Sequence, residues 1–314
     1  MPQIPFITAE MADPNMTWTG LADALIAGHR RKRAILGDLL LVNEPCSLLS
    51  RASWIDGMAI GLKSVSVFPK NPDRDPPMPS TQGVMVLFDP DHGAPSAILD
   101  GSLVTRWKTA GDSVLGAKLL ARPGSKSLLL VGAGTMARVL VGAYREIFPG
   151  LEEIRIWNRR GERAEALAAD MRAEGHPCEA TADLAGAAAN ADIVTTATMS
   201  TEPVLKGAWI GPGTHVDMIG AFRPDMREGD DELVAKARIF VDARETAMHD
   251  IGELGIPLKQ GLIAESNVVG DFYDLCNGAP GRGGDDEITL FKNGGGAHLD
   301  VMTALEIRRV ATAG

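Results

Sequence analysis

Hydrophobic residues change their spacing along this chain, and each change indicates a new element. The consecutive apolar residues 128–131 are typical of a strand buried on both faces. After a glycine-rich turn, apolar positions recur at helical spacing over 138–147. Further strands are predicted at 153–157 and 192–196, with a helical segment at 162–171 between them. This order predicts a βαβαβ unit with a parallel sheet.

The glycine-rich turn has the spacing of a dinucleotide-binding motif. Gly132 permits the tight turn, Gly134 lets the backbone approach a pyrophosphate, and Ala137 is small enough for close packing of helix on strand. Thr135 and Met136 lie where the helix begins, and free N–H groups and the helix dipole favour phosphate there. Alone, the motif fits a structural turn equally well, but its βαβαβ context favours a Rossmann domain.

The region after the βαβαβ unit continues the same sheet. Segments 214–218 and 238–242 are predicted strands that end in turn residues, where ligands usually bind. The glycine-rich, polar stretch 278–286 is predicted to be a loop. Segment 287–291 is a predicted strand, and 297–310 is a predicted helix that returns to the first domain.

The N-terminal region has a different pattern of apolar and turn residues. Thr17 is a candidate N-cap for a helix over 18–30, which ends in a basic cluster interpreted as a solvated helix end. Between 37 and 99, short apolar runs broken by turn residues predict an antiparallel sheet, with the proline-rich stretch 69–79 as an ordered loop. A helix over 102–121 connects this region to the first Rossmann strand.

These elements predict an α/β fold class. It comprises a Rossmann doubly wound parallel sheet and a second, α+β domain built on an antiparallel sheet. We expect residues 1–113 and 291–314 to form the α+β domain, and 114–290 to form the NAD(P)-binding Rossmann domain.

Composition narrows the function classes. The 314-residue chain carries a formal charge of −10, which argues against nucleic-acid and membrane partners. It has no apolar run of about 20 residues and no signal-like N-terminus, so we expect a cytoplasmic protein. Its three cysteines, Cys46, Cys178 and Cys276, are far apart, and its six histidines lack metal-binding spacing, so we expect neither disulfides nor a metal site.

Lys63 stands out chemically. It lies on a predicted strand between the apolar residues Leu62 and Val65, and a buried ammonium needs an anionic partner or loses its proton. A surface lysine that extends its charge into solvent is the alternative.

Five motifs in order make the chain resemble the ornithine cyclodeaminase/mu-crystallin family of NAD(P)-dependent imine-handling enzymes. They are Gly61–Asn71, Thr105–Ala110, the glycine-rich turn, Gly220–Glu228 and Glu287–Lys292. The resemblance implies a homodimer that pairs its N-terminal domains, which would thus serve substrate binding and dimerisation. It also implies that Lys63 faces the substrate beside the nicotinamide. Further residues are assigned by family position to the cofactor or to its border with the substrate: Lys108, Thr109, Thr198, Gly220, Phe222, Asn293 and Gly294.

The family's usual Arg-Thr-Ala is replaced here by Lys108-Thr109-Ala110. A carboxylate or phosphate would therefore be held by a point charge in place of a bidentate fork. Arg51, on the strand neighbouring that of Lys63, is a candidate for the missing planar clamp, with a surface ion pair as the alternative.

Phe222 departs from the cyclodeaminase pattern. Cyclodeaminases of this family have an aspartate at that position that assists ammonia loss, whereas phenylalanine cannot transfer a proton. The chain most resembles bacterial reductases of Δ1-pyrroline-2-carboxylate and Δ1-piperideine-2-carboxylate, which form L-proline and L-pipecolate. Two alternatives stay open, a cyclodeaminase or alanine-dehydrogenase-like enzyme and a non-catalytic, crystallin-like NADPH-binding protein.

Cofactor preference follows from the end of the second Rossmann strand. NAD-selective sites carry an acid there, but this chain has Asn158-Arg159-Arg160. Without a carboxylate and with two guanidinium groups, the site favours the 2′-phosphate of NADPH, with NADH as the alternative. Solvated arginines at a helix start are the structural alternative.

Overall fold

The computed structural model describes residues 4–312. Its helices are α1 (Ala9–Ala12), α2 (Trp18–His29), α3 (Gly101–Leu120), α4 (Thr135–Ile147), α5 (Gly161–Ala173), α6 (Leu184–Ala189), α7 (Asp231–Lys236), α8 (Arg244–Ala247), α9 (Gly252–Lys259), α10 (Phe272–Cys276) and α11 (Ala297–Ala311). Its strands are β1 (Phe6–Ile7), β2 (Ile35–Asn43), β3 (Cys46–Ile55), β4 (Ala59–Val67), β5 (Thr81–Phe88), β6 (Pro95–Asp100), β7 (Ser127–Val131), β8 (Glu153–Trp157), β9 (Cys178–Ala180), β10 (Ile193–Thr196), β11 (His215–Met218), β12 (Arg238–Val241), β13 (Val268–Asp271) and β14 (Thr289–Lys292).

The chain divides into two compact units. Unit 1 consists of the described parts of Met1–Lys108 and Gly296–Gly314, and unit 2 of Thr109–Gly295. The first division falls within α3. The domain assignment made from the sequence, with joins at 113 and 291 and a role for each domain, stays a prediction.

Unit 1 is built on a six-stranded sheet in the order β1-β6-β5-β4-β3-β2. Strands β2 to β6 pair antiparallel as predicted, whereas β1 pairs parallel to β6 and makes the sheet mixed. Helix α11 packs across β3, β4 and β5, and α2 packs against α11. On β5, the side chains of Met85 and Leu87 are buried beneath this layer.

Helix α2 begins and ends close to the predicted residues. The Thr17 hydroxyl accepts a hydrogen bond from Gly20 N at 3.0 Å, which confirms the predicted N-cap. The interpretation of its end as a solvated basic cluster is wrong for His29. That ring is fully buried, with Nδ1 2.7 Å from Leu25 O, because the last turn of α2 faces α11.

Unit 2 contains an eight-stranded, wholly parallel sheet in the order β13-β12-β14-β11-β10-β7-β8-β9. The consecutive apolar residues 128–131 are buried on β7, since both faces of that strand are covered, and β7 begins one residue earlier than predicted. Strand β8 has the predicted bounds. The predicted α/β fold class is confirmed. Helix α4 begins at Thr135, earlier than the predicted 138, because Gly134 serves as its N-cap. Within residues 4–312, no helix is both long and apolar enough to span a bilayer.

Candidate functional site

The turn between β7 and α4 requires glycine at its first position. Gly132 has φ of +127°, a left-handed conformation that side chains rarely adopt. A Cβ there would also lie 2.6 Å from Ala197 O, at the end of β10. Its N–H donates to Trp157 O at 2.8 Å, so the turn is held against β8 as well.

The start of α4 is open to an anion. Gly134 is the N-cap, and a Cβ built on it meets no atom within 4 Å. The first turn, with Thr135 and Met136, contains no acidic side chain and no side-chain cap. Unpaired N–H groups at the start of a helix attract phosphate. The geometry therefore fits a pyrophosphate beside Gly134.

A cavity of about 510 Å³ lies beside this turn, within unit 2. Sequence-predicted cofactor residues that line it are Gly132, Gly134, Asn158, Arg159, Arg160 and Thr198. Thr135, Met136, Thr109, Gly220, Phe222 and Asn293 do not line this cavity.

Arginines surround one end of the cavity. Asn158 Oδ1 accepts from Arg160 N at 2.9 Å, which shapes the turn that leads into α5. Arg159, Arg160 and Arg163 are exposed, and within residues 4–312 their guanidinium groups form no ion pair. Arg163, which sequence reasoning missed, lies one helical turn after Arg160. Three unpaired cations without an acid at the end of β8 fit a 2′-phosphate.

Two further loops approach each other at the ends of β10 and β11. Thr198 N and Oγ1 both donate to Glu228 Oε1 at 2.7 Å, and Gly220 N donates to Glu228 Oε2 at 2.6 Å. Phe222 is 57% exposed, with Arg223 lying over its ring. Glu228 was within a recognised motif but was not predicted to hold these loops.

Asn293 and Gly294 follow β14. The Asn293 side-chain nitrogen donates to Thr109 O and to Ser113 Oγ, both at 3.1 Å, so Thr109 and Asn293 are brought together. A Cβ at Gly294 would lie 2.9 Å from Asp242 Oδ1. The close packing around Gly294 leaves no room for a larger residue.

A buried charge cluster lies in unit 1. Lys63 Nζ donates to Asp300 Oδ1 at 2.6 Å and to Thr105 Oγ1 at 3.4 Å. Lys108 Nζ lies 3.9 Å from the same Asp300 oxygen. Gly61 allows this arrangement, because a Cβ there would lie 2.7 Å from a methyl group of Val301 on α11. Lys63 therefore has the anionic partner that its burial requires.

Arg51 lies directly opposite Lys63 in the β3–β4 register. Its Nε donates to Asp38 Oδ2 at 2.9 Å. The ion pair considered as the alternative role of Arg51 is thus present. The structure brings Arg51, Lys63 and Lys108 into one region around Asp300.

Burial and neighbouring charges shift the pKa values of two groups in this region. Burial alone would raise the pKa of Asp300, but the charges of Lys63 and Lys108, with the Lys63 hydrogen bond, lower it. Burial lowers the pKa of the neighbouring His298 to about 3, so that ring is neutral. Lys63 and Lys108 lie beside Asp300, and Arg51 pairs with Asp38. Their positive charges can attract a substrate that carries a carboxylate.

Asp300 was not predicted from the sequence. Its position on a long, mainly apolar helix was a signal, since a charged side chain there needs a partner, as Lys63 does on its apolar strand. Periodicity does not show, however, that two such residues are each other's partners.

Residues 52–314 match the ornithine cyclodeaminase/mu-crystallin family. The chain is 48% identical over 306 residues to the Δ1-pyrroline-2-carboxylate reductase of Paracoccus denitrificans, covering 97% of this chain and 96% of the relative.

Two solved structures share the fold. One is Thermococcus litoralis Δ1-pyrroline-2-carboxylate reductase in complex with NADH and L-proline, with a TM-score of 0.89, 28% identity and coverage of 98% of this chain and 97% of the other. The second is an archaeal alanine dehydrogenase dimer with bound NAD, with a TM-score of 0.89, 27% identity and coverage of 98% and 96%. The family match includes all five motifs on which the resemblance was based. The chain therefore belongs to the ornithine cyclodeaminase/mu-crystallin family.

Proposed function

We propose that this protein is an NAD(P)H-dependent reductase of cyclic imine carboxylates. Its substrates would be Δ1-pyrroline-2-carboxylate, which yields L-proline, and Δ1-piperideine-2-carboxylate, which yields L-pipecolate. The observation that carries the proposal is the 48% identity, over nearly the whole chain, to a relative named for the first of these reactions. Phe222 supports it, because a phenyl ring provides no acid or base for ammonia loss.

The charge cluster of unit 1 would bind the substrate. Lys63 and Lys108, with Arg51 at the neighbouring position on β3, attract the carboxylate. Asp300 keeps Lys63 in one orientation, so that its ammonium can donate a proton to the ring nitrogen. When bound, the reduced cofactor supplies the hydride that C2 accepts. The imine thereby gains one proton and one hydride and becomes a secondary amine.

NADPH is the proposed preferred cofactor. Arg159, Arg160 and Arg163 have guanidinium groups without ion-pair partners in the described chain, beside the cavity at the end of β8. A 2′-phosphate would supply those charges with a partner, whereas the 2′-hydroxyl of NADH would not.

The protein is further proposed to be a homodimer and to lie in the cytoplasm. The face of the unit 1 sheet turned away from α11 exposes Trp54, Leu62 and Val84, and the edge strand β2 exposes most of its apolar side chains. An apolar face beside an unpaired strand edge favours association with a second copy.

Activity can be tested with purified protein, NADPH and Δ1-pyrroline-2-carboxylate. We expect the absorbance of the reduced cofactor to fall and L-proline to form. Release of ammonia from ornithine without cofactor oxidation would instead identify a cyclodeaminase. Tight NADPH binding without turnover of any imine or amino acid would identify a non-catalytic binding protein.

A further inference from the structure

A buried carboxylate, that of Glu228, joins two loops of unit 2. Its side chain has no solvent exposure and accepts hydrogen bonds from Thr198 N, Thr198 Oγ1 and Gly220 N, all between 2.6 and 2.7 Å. Such short bonds to a charged acceptor are about twice as strong as those between neutral groups. Glu228 thus fixes the backbone after β10 to the backbone after β11.

These loops come so close that glycine is required. A Cβ on Gly220 would lie 1.9 Å from Thr198 O and 2.5 Å from Glu228 Oε1. Thr198 in turn lines the cavity beside the glycine-rich turn. A shift of the Glu228 carboxylate would therefore alter the shape of that cavity.

A second buried acid holds Glu228 in place. Glu253, in the first turn of α9, accepts from Glu228 N at 2.7 Å and from Gly229 N at 3.0 Å. Lys292 is the buried cation nearby, and its Nζ donates to Met218 O at 2.9 Å. Burial, followed by the charge of Glu228, raises the pKa of Glu253 to about 7. The hydrogen bonds thus run in series from Glu253 through Glu228 to the two loops.

The strand order indicates which part of a dinucleotide these loops serve. Arg159 and Arg160 follow β8, whereas Thr198 and Gly220 follow β10 and β11, on the other side of β7. A dinucleotide with its 2′-phosphate at the arginines and its pyrophosphate at the glycine-rich turn extends toward β10. The loops held by Glu228 would contact its nicotinamide half.

We infer that Glu228 is a positioning residue for the nicotinamide half of the cofactor, acting through Thr198 and Gly220, and that Glu253 supports it. The inference rests on the cofactor site of the proposed function but not on the imine substrate. Replacing Glu228 with glutamine puts an NH2 group where one carboxylate oxygen now accepts, so that two donors face each other. The loops then separate or rotate.

The test compares two ligands in Glu228→Gln. We expect the Kd for NADPH to rise about tenfold or more, while the Kd for 2′,5′-adenosine bisphosphate, which lacks the nicotinamide half, stays within about twofold. General unfolding would weaken the binding of both ligands. The ratio of the two Kd values therefore reports the positioning of the nicotinamide half alone. Glu232→Gln, at an exposed position on α7, is the control and should leave both unchanged. An unchanged NADPH Kd in Glu228→Gln, or equal losses for both ligands, would overturn the inference.

If Glu228→Gln does not fold, Glu253→Gln serves instead, with a smaller NADPH loss and the same ligand difference expected. Wild-type NADPH affinity in that variant would then count against the inference. Both ligands are measured by binding alone, without an imine. A wild-type protein that binds NADPH but reduces no imine would refute the proposed activity and leave this inference standing.

Discussion

Lys63 Nζ donates a 2.6 Å hydrogen bond to Asp300 Oδ1, joining a strand and a helix whose partner residues are 237 positions apart. Both side chains are buried. Burying two charges costs free energy, which a close and well-oriented pair offsets, but removing one partner leaves the other uncompensated. We propose that the Lys63 ammonium, with two further cations beside it, serves substrate binding and proton donation.

Replacing Lys63 with alanine tests this role. We expect kcat for imine reduction to fall by about 10²- to 10⁴-fold, the range attributed to a positioned acid or base, while the Kd for NADPH stays unchanged. Steady-state kinetics and fluorescence titration with NADPH measure the two effects. Lys70→Ala, at an exposed position shortly after β4, is the control and should keep wild-type kinetics. Normal turnover in Lys63→Ala would refute the assignment.

Replacing Asp300 with asparagine should separate binding from turnover. Lys63 and Lys108 would lose their shared acid, so we expect a loss of about 3–5 kcal/mol in the free energy of unfolding. Because the region becomes more positive, KM for the imine carboxylate should not rise, whereas kcat should fall as Lys63 loses its orientation.

Asp38→Asn provides the comparison for Asp300→Asn, because it breaks the more exposed ion pair with Arg51. The expected stability loss is at most about 1 kcal/mol. Equal losses in the two variants, measured by denaturant unfolding, would show that the buried pair has no special importance.

The fold was largely predictable from the sequence, for physical reasons. Consecutive apolar residues on β7 fit a strand covered on both faces, and β7 begins one residue before the predicted 128–131. Strand β8 has the predicted bounds. Strand β1, which has two residues, and β9, which has three, are too short to show any periodicity. Their pairing depends on neighbouring strands that are distant in the chain.

The site was predictable only in part. Lys63 was identifiable because a charge on an apolar strand needs an explanation within its own segment. Asp300 and Glu228 were not, because their roles depend on which distant groups the fold places beside them. Arg163 is intermediate, since helical spacing from Arg160 predicts a shared direction but not the cavity.

Cofactor choice can be altered at the arginine cluster. The double variant Arg159→Ala with Arg160→Ala should raise the Kd for NADPH at least about tenfold and leave that for NADH within about twofold, since only the 2′-phosphate loses its partners. Arg138→Ala is the control, because that guanidinium already pairs with Asp170 and Glu174. Equal losses for both cofactors would contradict the proposed NADPH preference.

The exposed sheet face of unit 1 predicts the oligomeric state. Leu62→Glu should convert the proposed dimer to monomers, because a charge would be buried between two copies. Leu262→Glu is a matched control, since Leu62 is 36% exposed and Leu262, in unit 2, is 39% exposed. Sedimentation velocity or light scattering gives the mass of each variant. If Leu62→Glu stays dimeric, this face is not the interface.

A pH-dependent stability effect is expected from Asp217, on β11. Burial raises its pKa from 3.8 to about 6, although hydrogen bonds from Thr195 and Tyr144 oppose the change. The folded protein therefore binds this proton more tightly than the unfolded chain. The resulting stability is fully present below 3.8 and is lost as the pH rises through about 6.

Asp217→Asn removes this titration and keeps an oxygen to accept from Thr195 and Tyr144. The unfolded carboxyl is already more than half ionised at pH 4. The unfolding free energy of the variant relative to wild type should therefore rise by roughly 2.5 kcal/mol between pH 4 and pH 7. Denaturant titrations at several pH values measure the unfolding free energy of both proteins. In the difference between them, the contributions of the other titrating groups cancel. Glu162→Gln, at an exposed position on α5, should show a flat difference. A flat difference in Asp217→Asn as well would mean that the buried carboxyl titrates at its ordinary pKa, which its burial on a fully covered strand argues against.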